Sequence, residues 1–154
     1  MSLMNSLNIS ASGMSAQRTR MDIIAQNVAN VNTTRDENGD VYRRQTVVFA
    51  ERSNTNKNFE SYLTAQKTGL SYKKQIGTGV KITAIAEDHV TAMKTVYDPS
   101  HPDADEDGYV TYPNVNTVTE MTNLIDSTRS FEANATAFDA TKNMALRGLE
   151  VGKQ

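Results

Sequence analysis

Residues 3–31 read LMNSLNISASGMSAQRTRMDIIAQNVANV. Met4, Leu7, Ala11, Met14, Met21, Ala25 and Val28 fall on alternating steps of three and four, which places them on one face of an α-helix. Leu7, Met14, Met21 and Val28 recur every seven residues, with Arg18 as the break, so a narrow apolar stripe faces a partner helix. Gly13 weakens such a helix by roughly 1 kcal/mol relative to Ala, and predicts a kink or a close helix contact at that point. A helix from Leu3 to about Val31 would be ~40 Å long.

The other end of the chain mirrors this pattern. Pro113 closes the preceding segment, and Thr117 with Glu120 has the spacing of a capping box. Met121, Leu124, Thr128, Phe131, Ala135, Phe138, Ala145 and Leu149 then continue the three-four alternation, with Lys142 as the polar break. Lys142, Arg147 and Lys153 lie toward a helix end, where cations complement the dipole, and Gly152 is the expected stop. The simplest way to bury both stripes is to pair the two helices. Each then still carries apolar and small residues on a second side: Ile9, Ile23 and Ile24 on one, Ile125, Ala133, Ala137 and Met144 on the other.

Between the helices the period falls to two. Val41–Phe49, Val80–Glu87, Ala92–Tyr97 and Tyr109–Tyr112 read as strands, with Asn38-Gly39-Asp40 and Gly77-Thr78-Gly79 as turns. Residues 51–75 are polar and read as a loop or insertion. The expected architecture is α+β: two long terminal helices in a coiled-coil-like pair, with a small β-rich middle domain. Residues 1–34 and 113–154 would form one discontinuous helical domain, and 35–112 the middle one.

Composition narrows the function classes. Of 154 residues only 38% are apolar, against roughly 45–50% in ordinary globular chains, so the core is expected to be thin and partners to supply part of the order. A net charge of −2 gives no reason to expect nucleic acid or an anionic membrane as a partner, and Arg43–Arg44 and Lys73–Lys74 are too short for a phosphate-binding stripe. There is no cysteine, hence no disulfide or thiolate metal site. No run has the length of a cleaved leader or a membrane span, so export without a cleaved signal is one expectation and a cytoplasmic location the other.

Asp103-Ala104-Asp105-Glu106-Asp107-Gly108 matches the first half of a calcium loop, but the twelfth position is Asn114 instead of Glu, and strands flank the loop where helices belong. His89 and His101 lack ligand spacing, and Gly77-Thr78-Gly79 precedes a strand instead of opening a helix. The Asn-x-Ser/Thr sequons at Asn8, Asn32 and Asn134 are expected by chance in so Asn- and Thr-rich a chain. No nucleophile, base and orienting group converge, so neither catalysis nor a metal or other cofactor is expected. From the residues alone, the two stripes suit a polymerising structural subunit, or a soluble helical adaptor or export-chaperone-like binding module.

Gln26-Asn27-Val28-Ala29-Asn30-Val31-Asn32-Thr33-Thr34 places four side-chain amides where the apolar face is still running. Asn27-Val28-Ala29-Asn30-Val31-Asn32-Thr33 resembles the signature near the N-terminus of flagellar rod and hook proteins, and residues 6–14 resemble their opening helix. Phe131-Glu132-Ala133-Asn134 with Lys142-Asn143-Met144 is similar to the matching C-terminal signature. Val96–Asp105, Gly108-Tyr109-Val110 and Pro113–Asn116 resemble the FlgC-type proximal-rod branch of that family. Residues 51–75 are longer and more polar than its compact members lead one to expect.

The resemblance implies a structural subunit exported through the flagellar type III apparatus without cleavage. It would assemble into a hollow, torque-transmitting rod across the periplasm, its terminal helices lining the export channel. Its partners would be copies of itself, FlgB, FlgF, FliE-type and FlgG-type rod proteins and the export apparatus, with no nucleic acid and no direct membrane insertion. Interface and helix-packing roles are then expected of Leu7, Met14, Met21, Asn27, Val28, Asn30, Asn32, Leu124, Phe131, Asn134, Phe138 and Leu149.

Overall fold

The computed structural model describes residues 3–35, 39–52 and 77–152. The N-terminal periodic segment forms helix α1 (Leu3–Ala29), two residues short of the expected end. Its exit is a turn in which the N–H groups of Asn30 and Thr33 donate to the Gln26 and Asn30 carbonyls. Four strands follow, β1 (Gln45–Glu51), β2 (Val80–Glu87), β3 (Lys94–Tyr97) and β4 (Tyr109–Tyr112), and then helix α2 (Thr117–Val151). This is the α+β arrangement expected, two helices at the chain ends around a small β region. None of the described helices is long and apolar enough to cross a membrane.

The strands form two separate antiparallel pairs, β1 with β2 and β3 with β4. In the first, Gln45 faces Glu87 and Glu51 faces Val80, with a register shift between Val48 and Phe49. In the second, Lys94 faces Tyr112 and Tyr97 faces Tyr109. β1 starts four residues later than the expected Val41, where the Arg44 carbonyl still accepts from Asp88 N–H but the Arg44 N–H leaves the ladder and donates to Asn114 Oδ1. β3 starts at Lys94 instead of Ala92, after the side chain of Asp88 has bound Val90 and Thr91 into a turn. The expected insertion at 51–75 falls, from residue 53 onward, outside the described residues.

The start of α2 corrects the capping-box expectation. The cap is Asn116: its backbone is extended, and its side-chain oxygen accepts from the free N–H groups of Val118 and Thr119. Glu120 therefore lies one position too deep to cap, and its carboxylate turns inward. Gly152 ends the helix as expected, but with right-handed backbone (φ −76°) and an N–H bond to the Gly148 carbonyl.

α1 and α2 run antiparallel, as three contacts along the pair establish: Gly13 against Asn134, Met21 against Thr128 and Asn27 against Glu120. α2 is the longer helix, and its last two turns, roughly 10 Å at 1.5 Å per residue, run past the start of α1. The first strand pair packs on α1, whereas α2 packs along α1 and along no described strand. Ser12 fastens β2 to α1: its hydroxyl donates to the Ile9 carbonyl (2.7 Å) and accepts from Val80 N–H (3.1 Å). Gly79 (φ +124°) permits that approach, since a Cβ there would overlap the Ser12 oxygen.

Candidate functional site

The buried apolar side chains are Ala16, Ile23, Ile24 and Val110, and the buried polar ones are Ser10, Asn27, Asn114, Glu120 and Ser127 among the described residues. So polar an interior is stable only if its groups satisfy one another. Asn27, wholly buried at the end of α1, does so completely. Its amide donates to the Gln45 carbonyl (2.8 Å) and to Glu120 Oε2 (3.1 Å), and its oxygen accepts from Tyr42 (2.9 Å) and Gln45 N–H (2.9 Å). An Asn has two donors and two acceptor positions, so none remains for a neighbouring molecule.

Glu120 closes the joint from α2. Its side chain is 1% exposed, and its Oε1 accepts from Arg44 Nε (2.9 Å) and Nη2 (2.7 Å). Arg44 in turn lies 3.9 Å from Asp88. Asn114, just before α2, accepts from Arg44 N–H and donates to the Asp88 and Thr91 carbonyls. One network thus ties the end of α1, the approach to β1, the turn after β2 and the start of α2. Burial, then the charges of Glu120 and Glu87, raise the Tyr42 phenol above its usual range, so it keeps the proton it donates to Asn27. Hydrogen bonds from Thr91, backbone first and then side chain, lower the Asp88 carboxyl, as does the Val90 N–H.

The acidic loop between β3 and β4 is itself hydrogen-bonded. Asp98 accepts from the N–H and hydroxyl of Ser100, and Gly108 (φ +79°) turns the chain back where a Cβ would press on Tyr97 and Pro99. Asp103, first residue of the calcium-like run, instead accepts from the Thr34 hydroxyl (2.7 Å) and pairs with Arg35 (3.0 Å). It pins the loop to the exit of α1.

The residues expected to carry helix contacts divide into three groups. Asn27 is buried in the joint; Leu7, Met14, Met21, Val28, Asn30, Phe131, Asn134 and Phe138 are half-buried; Asn32, Leu124 and Leu149 are exposed. Small and polar side chains are prominent in the two helices: Ser10, Ala16 and Ser127 are buried, as are Ile23 and Ile24, and half-buried Gly13 lets α1 approach half-buried Asn134, where a Cβ would clash. Asn30 stabilises the helix exit, donating to the Gln26 carbonyl and accepting from the Thr33 hydroxyl, and Asn134 donates to the Ser130 carbonyl beside Gly13. Glu120, Arg44, Tyr42, Asn114 and Ser127 were not singled out from sequence as site residues. The available signal was Glu120-Ser127-Asn134-Thr141, a polar heptad line next to the apolar one.

Comparison with known proteins matches this geometry to its family. Residues 7–35 match the family described as flagella basal body rod protein, and residues 106–151 the flagellar basal body rod FlgEFG protein C-terminal family. The flagellar basal-body rod protein FlgC of Bacillus subtilis is 45% identical over 99% of this chain and all of its own length. That of Borreliella burgdorferi is 39% identical over 98% of both chains, and that of Salmonella typhimurium 33% over 99% of this chain and all of its own. The chain belongs to the FlgC family of flagellar basal-body rod proteins. Of the two readings left open by the stripes, the FlgC match selects the rod subunit over the adaptor. The two segments matched by the family models hold most of α1 with its exit, and β4 with α2, and so carry Asn27 and Glu120.

Proposed function

We propose that this chain is a structural subunit of the proximal flagellar rod, assembled through α1 and α2 into a hollow shaft that transmits torque around the export channel. The observation that carries this reading is the apolar surface left over once the helices have paired. Val118, Met121 and Ile125 lie more than half exposed on α2, as do Met144 and Leu149, in a family of basal-body rod proteins. Contiguous apolar surface of this kind marks a protein interface. The natural occupants are helices of further copies and of FlgB-, FlgF-, FliE- and FlgG-type subunits, reached after export through the type III apparatus without a cleaved leader. Residues 1–34 and 113–154 would act as the tube-forming helical domain and 35–112 as an outer β-rich domain. The rod so formed would span the periplasm.

The test uses a motile bacterium whose own copy of this gene is replaced by a Met121→Glu, Ile125→Glu variant. Both side chains are just over half exposed in the single chain, so folding stability should fall by only about 1 kcal/mol. Motility and rod assembly should nevertheless be lost. Normal basal bodies containing the variant would refute the proposal.

A further inference from the structure

We infer that the buried Asn27–Glu120–Arg44 joint acts as a register lock for the helix pair, selecting one of two alignments that the helix seam by itself does not distinguish. Three observations lead there. First, α2 packs along α1 and along no described strand, so its position along α1 is fixed from the β region only at its start, by the joint and by the bonds of Asn114 just before it. Second, the seam positions of α2 repeat every seven residues with similar chemistry: Ser127, Asn134 and Thr141 are all small and polar. Its half-buried flank repeats at the same interval, so a slide puts Phe138 in the place of Phe131 and the smaller Ala145 in the place of Phe138. A slide by one heptad would put Thr141 where Asn134 meets Gly13 and Ala135 where Thr128 meets Met21. Third, α1 carries an unsatisfied polar atom in the observed alignment: Gln17 Oε1, one turn beyond Gly13, is buried with no hydrogen-bond partner among the described residues.

Only the first member of the heptad line breaks the repeat. Glu120 is the buried carboxylate that receives Arg44 Nε and Nη2 and the Asn27 amide. In the slid alignment Ser127 takes its place, leaving the Arg44 guanidinium without the carboxylate and Asn27 without an acceptor. The opposite slide is blocked because Pro113 would occupy the position and the helix begins only at Thr117. A single buried polar group can fix register in this way in helix pairs with degenerate seams. The consequence for a subunit is geometric: one heptad moves the outer face of α2 by roughly 10 Å relative to α1 and the sheet fastened to it.

The chain has no cysteine, so introduced pairs report alignment without interference. In the full-length protein, Met21→Cys with Thr128→Cys reports the observed register and Met21→Cys with Ala135→Cys the slid one. With Glu120 intact, only the first pair should form a disulfide in quantity. Glu120→Ser, which completes the small polar repeat, should raise the slid-to-observed disulfide ratio at least tenfold while helical circular dichroism is retained. Phe138→Ala, which loosens the flank but leaves the joint intact, should not raise it. An unchanged ratio in Glu120→Ser, or an equal rise in Phe138→Ala, would overturn the lock. Should Glu120→Ser lose its helical signal, Glu120→Gln carries the same comparison, with a smaller rise expected and an unchanged ratio again decisive against. Disulfide yields within one chain are independent of rod assembly, so this result and that of the motility experiment stand apart.

Discussion

Asn27 joins three parts of the chain, because from the end of α1 its side chain bonds Gln45 of β1, Tyr42 on the approach to β1 and Glu120 of α2. Asn27→Ala should cost about 3 kcal/mol or more, since it leaves the buried backbone of Gln45 and the hydroxyl of Tyr42 without partners. Asn27→Asp should be worse at pH 7, where it sets a second carboxylate against Glu120 Oε2, now 3.1 Å from the Asn27 amide. Protonation relieves that repulsion, so thermal denaturation should find Asn27→Asp recovering stability between pH 7 and pH 5 and Asn27→Ala not doing so. Tyr42 sets the alkaline side. Its pKa is raised above 10.0 in the folded chain, so the linked stability is intact below pH 10 and is lost as pH rises through the folded value. Tyr42→Phe should flatten the pH dependence of the denaturation midpoint between about pH 9 and 12.

At the scale of elements, the pairing of α1 with α2 depends on closeness more than on apolar bulk. A Cβ at Gly13 would meet the Asn134 amide at 2.8–3.1 Å, and that amide is itself held by the Ser130 carbonyl. Ala is favoured over Gly within a helix by about 1 kcal/mol, so Gly13→Ala sets propensity against a clash. In the native background the substitution should be destabilising. In an Asn134→Ala background, where the opposing side chain is gone, it should stabilise by up to ~1 kcal/mol. A double-mutant cycle by urea denaturation reads the coupling directly, and additive effects would show that the two residues do not touch. The heptad of large residues in the sequence placed both helices, and the contacts that fasten the pair include Met21 with Thr128 and Gly13 with Asn134. Apolar periodicity reports which side of a helix avoids water, whereas depth within that side depends on how closely the partner backbone can come.

At the scale of the molecule, a thin core and a wide apolar surface belong together. Phe131 and Phe138 are only half-buried in the single chain, so Phe138→Ala should cost less than the 3–5 kcal/mol of a fully buried ring, about 1–2 kcal/mol by chemical denaturation. Its effect on rod assembly should be larger than that loss of stability accounts for, if neighbouring helices cover the rest of the ring. From the sequence alone came the two terminal helices, the alternating strands between them and the resemblance to rod proteins, all of which rest on local periodicity or short motifs. Only the tertiary structure decided that Asn27, more than ninety positions from Glu120, bonds to it, and that Arg44 completes the site. A buried polar network leaves little periodic trace: in the sequence Glu120 reads as a capping residue and Arg44 as half of a basic pair too short to bind phosphate. Burial is set by the whole fold, and burial is what turns an ordinary ion pair into the joint that aligns the helices.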